Sequence, residues 1–278
     1  MPPARLRARR NPYAPLLFLA ASAALGTRDA SAAPPRTGRD PLRATMSVSG
    51  QDRDALVYLP ADGSVRPAPV LLVFHGHGGA PESAARSFRF HELWPEAVVI
   101  YPRGLPTPGA LTDPRGEKPG WQSRAGEQGD RDLAFYDALL AAAAGEYGGD
   151  PRRTYAAGHS NGGSFVYLLW AFRGGSLAAV AASGAILADR SAALTPKPAF
   201  HVAGRGDPLV KFEWQERMMS AVRAVNRAGE GRPWGPWCDY YPSETGAPFA
   251  AYVHPGGHEY PTEASEAVIR FFLEAPGP

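Results

Sequence analysis

One serine in the sequence has the surroundings that are typical of a nucleophile. Ser160 lies within the segment Gly158–Gly163 (GHSNGG), after a short apolar run, Thr154–Ala157, and before a stretch with helical spacing, Gly163–Phe172. Glycines on both sides allow a sharp turn from strand to helix, which would hold the serine hydroxyl at the top of the turn. The start of the helix adds partial positive charge where an anion would form. We therefore interpret Ser160 as a nucleophile and not as part of a structural turn.

Attack of a hydroxyl on a carbonyl creates an oxyanion, which needs two backbone N–H donors nearby. The amide of Asn161, directly after the serine, is one expected donor. The second is expected in the segment His75–Gly79 (HGHGG), which follows the apolar run Val70–Phe74. We assign it to His77, with Gly78 as the alternative.

The same histidines allow a competing interpretation as a metal site. His75 and His77 are alternate residues, and His159 or His258 would complete a ligand set with them. However, a metal hydrolase does not need a serine at a strand-to-helix turn, and no acidic ligand accompanies the pair. We predict neither a metal nor an organic cofactor.

The general base is expected to be a histidine late in the chain, because such sites follow the order serine, acid, histidine. His258 lies in a glycine-rich loop after the last predicted strand, Phe249–Val253, whereas His254 directly follows that strand and His201 lies within another. A loop residue can reach across the sheet edge towards the serine. We therefore prefer His258.

An acid should hold the tautomer of the histidine and stabilise its protonated form. Asp207 follows the predicted strand Phe200–Ala203, which places a carboxylate at the carboxyl end of that strand. Asp189, after the preceding strand, is the alternative. We predict Asp207 as the acid.

Short apolar runs alternate with longer helical stretches, which predicts a mostly parallel sheet with helices on both faces. The predicted strands are Ala55–Leu59, Val70–Phe74, Ala97–Tyr101, Thr154–Ala157, Ala178–Ser183, Phe200–Ala203 and Phe249–Val253. The predicted helices are Leu133–Tyr147, Gly163–Phe172, Glu213–Val225 and Thr262–Leu273. The segment 102–129 is rich in glycine, proline and charge, and is either a functional loop at the carboxyl edge of the sheet or a surface excursion.

The N-terminal residues have the composition of a secretory signal peptide. Several arginines precede the apolar run Leu16–Leu25, and Ala30-Ser31-Ala32 follows it. The apolar run is shorter than the about 20 residues that a membrane-spanning helix needs. We predict a signal peptide over 1–32, a proline-rich spacer over 33–41 and one catalytic domain over 42–278, in a secreted or periplasmic protein.

Charge and cysteine content limit the classes of partner. The 278 residues carry a formal net charge of +2, but residues 1–32 hold five of the 29 basic side chains and one of the 27 acidic ones. The remaining 24 basic and 26 acidic side chains give a charge of −2, which gives no support to a nucleic-acid or membrane partner. Cys238 is the single cysteine, so no intramolecular disulfide can form.

Several motifs extend beyond the serine and its partners. They are HGHGG at His75, GWQ at Gly120, DLAF at Asp132, DPRRTYAAGHSNGG at Asp150, GDP at Gly206 and GGH at Gly256. With them the chain resembles enzymes of the α/β-hydrolase fold, and among these the secreted esterases that include polyhydroxybutyrate depolymerases and feruloyl esterases. It departs from that group in lacking disulfides and in having Arg205 in the acid loop.

The resemblance implies a serine esterase acting through an acyl-enzyme, on polyhydroxyalkanoate, feruloyl or acetyl esters that are polymeric or small. A prolyl-oligopeptidase-type peptidase and a silent binding protein of the same fold are the alternatives. Trp121, Trp234 and Trp237 are expected either to form an aromatic platform for the substrate or to pin glycine-rich loops to the core.

Overall fold

The computed structural model describes residues 40–61 and 67–276, and these belong to one compact unit. The predicted signal peptide (1–32) and residues 33–39 of the predicted spacer lie outside the described residues. The strands are β1 Leu42–Val48, β2 Gln51–Tyr58, β3 Ala68–Phe74, β4 Val98–Pro102, β5 Leu105–Pro106, β6 Pro119–Gly120, β7 Gly149–His159, β8 Ala179–Ser183, β9 Ala199–Gly204, β10 Arg232–Gly235, β11 Cys238–Tyr241 and β12 Phe249–His254. The α-helices are α1 Pro81–Phe88, α2 Phe90–Leu93, α3 Arg131–Gly145, α4 Asn161–Arg173, α5 Phe212–Val225 and α6 Ala264–Glu274.

Within the described residues, ten strands form one sheet in the order β1-β2-β4-β3-β7-β8-β9-β12-β11-β10. The six from β4 to β12 in this order run parallel to one another, and antiparallel strands flank them on both sides. The predicted class, a mostly parallel sheet with crossover helices, is confirmed. No helix in the described part of the chain combines the length and the hydropathy needed to cross a bilayer.

The residues of β3 show why the central strands are continuous apolar runs. Val70, Leu72 and Phe74 pack into the cluster that includes α3, α4 and α5, while Leu71 and Val73 pack into the cluster that includes α1, α2 and α6. Side chains of a strand alternate between the faces of its sheet, so a strand covered on both faces is apolar at every position. Burial on both faces fixes the register of the strands, and with it the positions where their carboxyl ends meet.

All seven predicted strands and all four predicted helices are present, with shifted ends. Sequence reasoning missed β1, β10 and β11 at the sheet edges, and the short helices α1 and α2. Exposed and partly buried residues alternate along β1, so it lacks the continuous apolar run of a central strand. Helix α1 has eight residues and α2 has four, too few for a clear helical period.

The segment 102–129 is folded against the body. It contains the two-stranded hairpin β5–β6, in which Leu105 pairs with Gly120, and a 3₁₀ turn over Glu127–Asp130. Trp121, which follows the hairpin, is fully buried. The part of the segment around Trp121 is therefore packed into the core, whereas most residues from 106 to 118 are exposed.

Candidate active site

Ser160 stands at the turn between β7 and α4. Its backbone has φ 56° and ψ −122°, a left-handed conformation that costs a non-glycine residue free energy and clusters at functional sites. A Cβ on Gly158 would lie 2.5 Å from the carbonyl oxygen of Gly162, and one on Gly162 would overlap the carbonyl oxygen of Phe74. Only glycine fits at these two positions, because strand and helix approach each other too closely for a side chain.

The structure brings Ser160, His258 and Asp207 together. Ser160 Oγ lies 2.7 Å from His258 Nε2, and His258 Nδ1 lies 2.8 Å from Asp207 Oδ2. The three residues follow β7, β12 and β9, whose carboxyl ends lie at the same edge of the sheet. With a proton on Nδ1 donated to the carboxylate, Nε2 is free to accept the hydroxyl proton of Ser160.

Asp207 is buried and accepts four hydrogen bonds. Its Oδ1 accepts the backbone N–H groups of Leu209 and Val210, at 2.8 and 2.9 Å. Its Oδ2 accepts His258 Nδ1–H and, at 3.0 Å, Nε2–H of Gln215. A carboxylate held by four donors is fixed in position and keeps its negative charge towards the imidazole.

The alternatives from the sequence have other partners. The carboxylate of Asp189 accepts hydrogen bonds from Ser191 and from the amide of Ala125, and these lower the pKa of Asp189. His254 Nδ1 accepts the N–H of Gly256, and burial lowers the pKa of His254. Neither residue is the one that the structure places beside Ser160 and His258.

The loop after β3 lies against Ser160, since a Cβ on Gly76 would lie 3.5 Å from Cβ of Ser160. The N–H of Gly78 donates to the carbonyl of Pro119 at 2.7 Å, so this alternative oxyanion donor is already engaged. Within residues 40–61 and 67–276, no backbone bond outside the helices and strands engages the amide of His77 or of Asn161. Asn161 is the first residue of α4, where an N–H has no partner within its own helix. The availability of both amides fits the predicted oxyanion hole, whose function stays a prediction.

Asn161 also connects the segment 102–129 to the turn at Ser160. Its side-chain Oδ1 accepts the N–H of Trp121 at 2.7 Å, and its Nδ2–H donates to the carbonyl of Trp121 at 2.9 Å. The indole N–H of Trp121 donates to the carbonyl of His75 at 2.9 Å. Trp121 thus joins the two segments that carry the open amides, and its burial shows that it pins a loop to the core.

The platform interpretation also fails for the other two tryptophans. Trp234 and Trp237 lie at the edge of the sheet, in and after β10, and neither lines the cleft at Ser160. Trp234 packs under the guanidinium of Arg270, 3.3 Å from the ring centre. Of the two alternatives for Trp121, Trp234 and Trp237, an aromatic platform at the cleft is therefore not supported.

The histidines proposed as an alternative metal site are used otherwise. His75 donates Nδ1–H to the carbonyl of Gly76 at 2.8 Å and accepts the N–H of Gly104 on Nε2 at 2.9 Å. Burial lowers the pKa of His75 to about 4, so the ring is neutral at neutral pH. His77 Nε2 lies 3.1 Å from Asp113 Oδ2. Among the described residues, no three or more His, Cys, Asp or Glu side chains are grouped to hold a metal ion.

A cleft of about 240 Å³ opens beside Ser160 and His258. Its wall is mainly apolar, formed by Leu111, Ile186, Ala188, Leu209, Val210 and Trp214. Sequence reasoning missed these residues, as well as Gln215 beside Asp207. The signal for Gln215 was its place in α5, where it takes a buried position in series with Met219 and Val222 that an apolar residue would normally fill.

The proteins that resemble this chain in sequence or structure include esterases. No family model matches the chain. A bifunctional acetylxylan esterase/xylanase of Neocallimastix patriciarum is 29% identical over 177 residues, which are 63% of this chain. The match spans only 24% of the length of that curated relative.

Solved structures cover more of the chain. A carboxylesterase of Bacillus cereus is 22% identical with a TM-score of 0.58, over 81% of this chain and 95% of its own. An S-formylglutathione hydrolase of Agrobacterium tumefaciens is 13% identical with a TM-score of 0.63, over 87% and 98%. The chain has the α/β-hydrolase fold. A ferulic acid esterase, 16% identical with a TM-score of 0.59 over 85% and 97%, shares it.

The α/β-hydrolase fold accounts for the position of the site. In open α/β sheets, ligands bind outside the carboxyl ends of the strands, which is where Ser160, Asp207 and His258 meet. The same fold carries many chemistries, so function has to be argued from the site itself. The resemblance to the polyhydroxybutyrate depolymerase group stays a prediction.

Proposed function

We propose that this chain is a serine esterase that hydrolyses carboxylic esters through an acyl-enzyme. The proposal depends on one observation, the continuous hydrogen-bonded series from Ser160 Oγ through His258 to Asp207 at the mouth of an open cleft. An acetylxylan esterase among the relatives, and a carboxylesterase and a ferulic acid esterase among the structural neighbours, support it.

The geometry supplies each step of such a reaction. His258 Nε2 takes the proton of Ser160 as Oγ attacks the ester carbonyl, and Asp207 stabilises the imidazolium that forms. The carbonyl oxygen becomes an oxyanion that accepts hydrogen bonds from the backbone N–H groups of His77 and Asn161. The imidazolium then protonates the departing alcohol, and water repeats the sequence to release the acid.

We further propose that the acyl group is short, with acetyl as the first choice among the acetyl, feruloyl and hydroxyalkanoate types. The apolar cleft of about 240 Å³ favours a small apolar acyl group, and the relative named as an acetylxylan esterase supports the same choice. Activity on acetylated xylan, feruloylated oligosaccharide, short polyhydroxybutyrate and tributyrin can be compared directly. Faster hydrolysis of a feruloyl ester than of an acetyl ester would refute the choice.

The nucleophile can be tested with p-nitrophenyl acetate and the variant Ser160→Ala. Turnover should fall to the background rate, and a fluorophosphonate probe should label the unchanged protein but not the variant. Ser220→Ala, an exposed serine on α5, is the matched control and should keep full activity. Undiminished turnover in Ser160→Ala would end the proposal. An unlabelled native protein would favour a silent binding protein, and cleavage of a proline-containing peptide in place of esters would favour a peptidase.

We also propose that the protein is exported and that residues 1–32 are removed. The basic, apolar and small-residue order of this segment supports the proposal. The mass of the protein recovered outside the cytoplasm of a bacterial host should correspond to a start at residue 33. A mass that includes the leader would contradict it.

A further inference from the structure

A chain of buried polar side chains continues behind Asp207, away from the cleft. Gln215 donates Nε2–H to Asp207 Oδ2 at 3.0 Å and to the carbonyl of Val210 at 2.7 Å. Gln215 Oε1 lies 3.2 Å from His201 Nε2, and His201 Nδ1 lies 2.7 Å from the hydroxyl of Tyr167. Gln215 and His201 have no exposed surface and Tyr167 is 1% exposed.

The donor and the acceptor can be assigned for each hydrogen bond that links Asp207, Gln215, His201 and Tyr167. Burial lowers the pKa of His201 to about 4 and raises that of Tyr167, so both side chains are neutral. The carboxylate of Asp207 and the carbonyl of Val210 can only accept, so the Gln215 amide nitrogen faces them and Oε1 faces His201, which puts the single imidazole proton on Nε2. His201 Nδ1 therefore accepts from Tyr167, and His201 Nε2–H donates to Gln215 Oε1.

The orientation of the Gln215 amide satisfies every donor and acceptor around it. With Oε1 turned to His201, both amide hydrogens face acceptors, namely the carboxylate of Asp207 and the carbonyl of Val210. A flipped amide would place its oxygen against those two acceptors and its hydrogens against a donor. A fully satisfied buried network of this kind specifies one arrangement.

The chain of bonds also closes on the nucleophile. Tyr167 lies on α4, the helix that begins directly after Ser160. The bonds run from this helix through His201 on β9 and Gln215 on α5 to Asp207, and from there through His258 back to Ser160. The acid is thus held relative to the same helix that fixes the nucleophile.

We propose that Gln215, held by His201, is a positioning residue of the reaction, which orients Asp207 so that His258 is aligned with Ser160. The inference depends on the proposed esterase function. Gln215 does not line the cleft, so it acts on the acid and not on the substrate.

The first test replaces Gln215 with methionine, which has similar length and no donor. A displacement of catalytic groups by about 1 Å can cost about 100-fold in rate, so we expect kcat for p-nitrophenyl acetate to fall by about that factor. KM should stay within about threefold, because the cleft is unchanged.

A matched control is available at the other end of the same helix. Asn226 is also a fully buried amide, and it forms two hydrogen bonds with the backbone of Lys197. Asn226→Leu removes a buried amide outside the chain of bonds. We expect it to lower the unfolding midpoint as Gln215→Met does, and to leave kcat unchanged.

The second test uses Gln215→Glu and pH. A protonated glutamic acid can still donate to Asp207, whereas the ionised form would set two carboxylates against each other. The activity of Gln215→Glu relative to the unchanged protein should therefore fall as pH rises from about 5 to about 9. The same ratio for Gln215→Met should not depend on pH, since methionine does not titrate.

Two results would overturn the proposal: folded Gln215→Met with kcat within about threefold of the unchanged protein, or a Gln215→Glu ratio that does not vary with pH. If Gln215→Met does not fold, the pH ratio of Gln215→Glu decides. Turnover that disappears in Ser160→Ala but persists in Gln215→Met would reject the positioning role alone. Turnover that persists in Ser160→Ala would reject the proposed function.

Discussion

The side chain of Asn161 and its backbone amide are predicted to have separate roles, which Asn161→Ala can separate. The substitution removes the two hydrogen bonds to the backbone of Trp121, at 2.7 and 2.9 Å, and keeps the amide at position 161. Each bond contributes about 1 kcal/mol net, and stranding a buried partner costs about 1–3 kcal/mol. Because two buried backbone groups lose their partner, we expect the free energy of unfolding to fall by about 3 kcal/mol.

Urea unfolding of Asn161→Ala should show this loss as a lower midpoint with an unchanged slope. The corresponding fall in melting temperature is about 6–12 °C, at about 2–4 °C per kcal/mol. Asn161→Asp keeps an acceptor for the N–H of Trp121 but loses the donor, so its loss should be intermediate. Below the transition, kcat of Asn161→Ala should remain within about tenfold of the unchanged protein, because the oxyanion donor is retained. A change in unfolding free energy below about 0.5 kcal/mol would refute the stabilising role of the two bonds between the Asn161 side chain and Trp121.

Three further predictions concern Asp207, the turn after Ser160 and the buried histidines. Asp207→Asn should lower kcat by about 10⁴-fold while the protein stays folded, because an amide favours the wrong histidine tautomer; kinetics on p-nitrophenyl acetate would measure it, and a loss below tenfold would contradict it. Gly162→Ala should destabilise the fold by at least about 2 kcal/mol, because its Cβ would meet the carbonyl oxygens of Phe74 and His75; thermal unfolding equal to that of the unchanged protein would contradict it. Burial lowers the pKa values of His75, His159 and His201 to about 4, 3 and 4, so unfolding takes up protons as pH falls below about 6.5. The free energy of unfolding should then fall by up to about 1.4 kcal/mol per pH unit for each histidine, and a constant value between pH 7 and 5 would contradict this.

The residues that the sequence could identify are those whose chemistry is local. Ser160 could be assigned because the glycines around it are needed by the turn itself, and His258 because its loop follows the last strand of the parallel sheet. The central strands could be assigned because both of their faces are buried. Each of these features leaves a pattern within a few consecutive residues.

The remaining features depend on contacts between distant segments. The wall of the cleft combines Leu111, Ile186 and Trp214 from three separate segments, and no local pattern joins them. Gln215 could have been singled out as a polar residue in an apolar series. Its hydrogen bond to Asp207 could not have been predicted from the spacing of the two residues. The edge strand β1 was missed because its alternating pattern is weak beside the apolar runs of the sheet centre.

Motifs that do no chemistry can still be necessary for the site, as GWQ and DLAF show. Asp132, from DLAF, is fully buried and pairs with Arg53 at 2.9 Å, while its other oxygen accepts the N–H of Gln122 from GWQ. Gln122 in turn accepts the N–H groups of Asp132 and Leu133, which open α3. A buried ion pair is costly unless other hydrogen bonds support it. Here the backbone N–H of Gln122 binds the second carboxylate oxygen, and the carbonyls of Arg103 and Arg131 accept from the guanidinium, whereas Arg53 Nε has no partner among the described residues.

These bonds also hold the segments that carry the predicted oxyanion donors. With Gln122 anchored on α3, its neighbour Trp121 is held where it bonds both Asn161 and the carbonyl of His75. Cys238 is the single cysteine, so no disulfide within the chain can fix this loop. The segment 102–129 is fixed instead by buried hydrogen bonds and one ion pair. It follows that Arg53→Met, more than 100 residues from Ser160 in sequence, should loosen this loop and reduce activity together with stability.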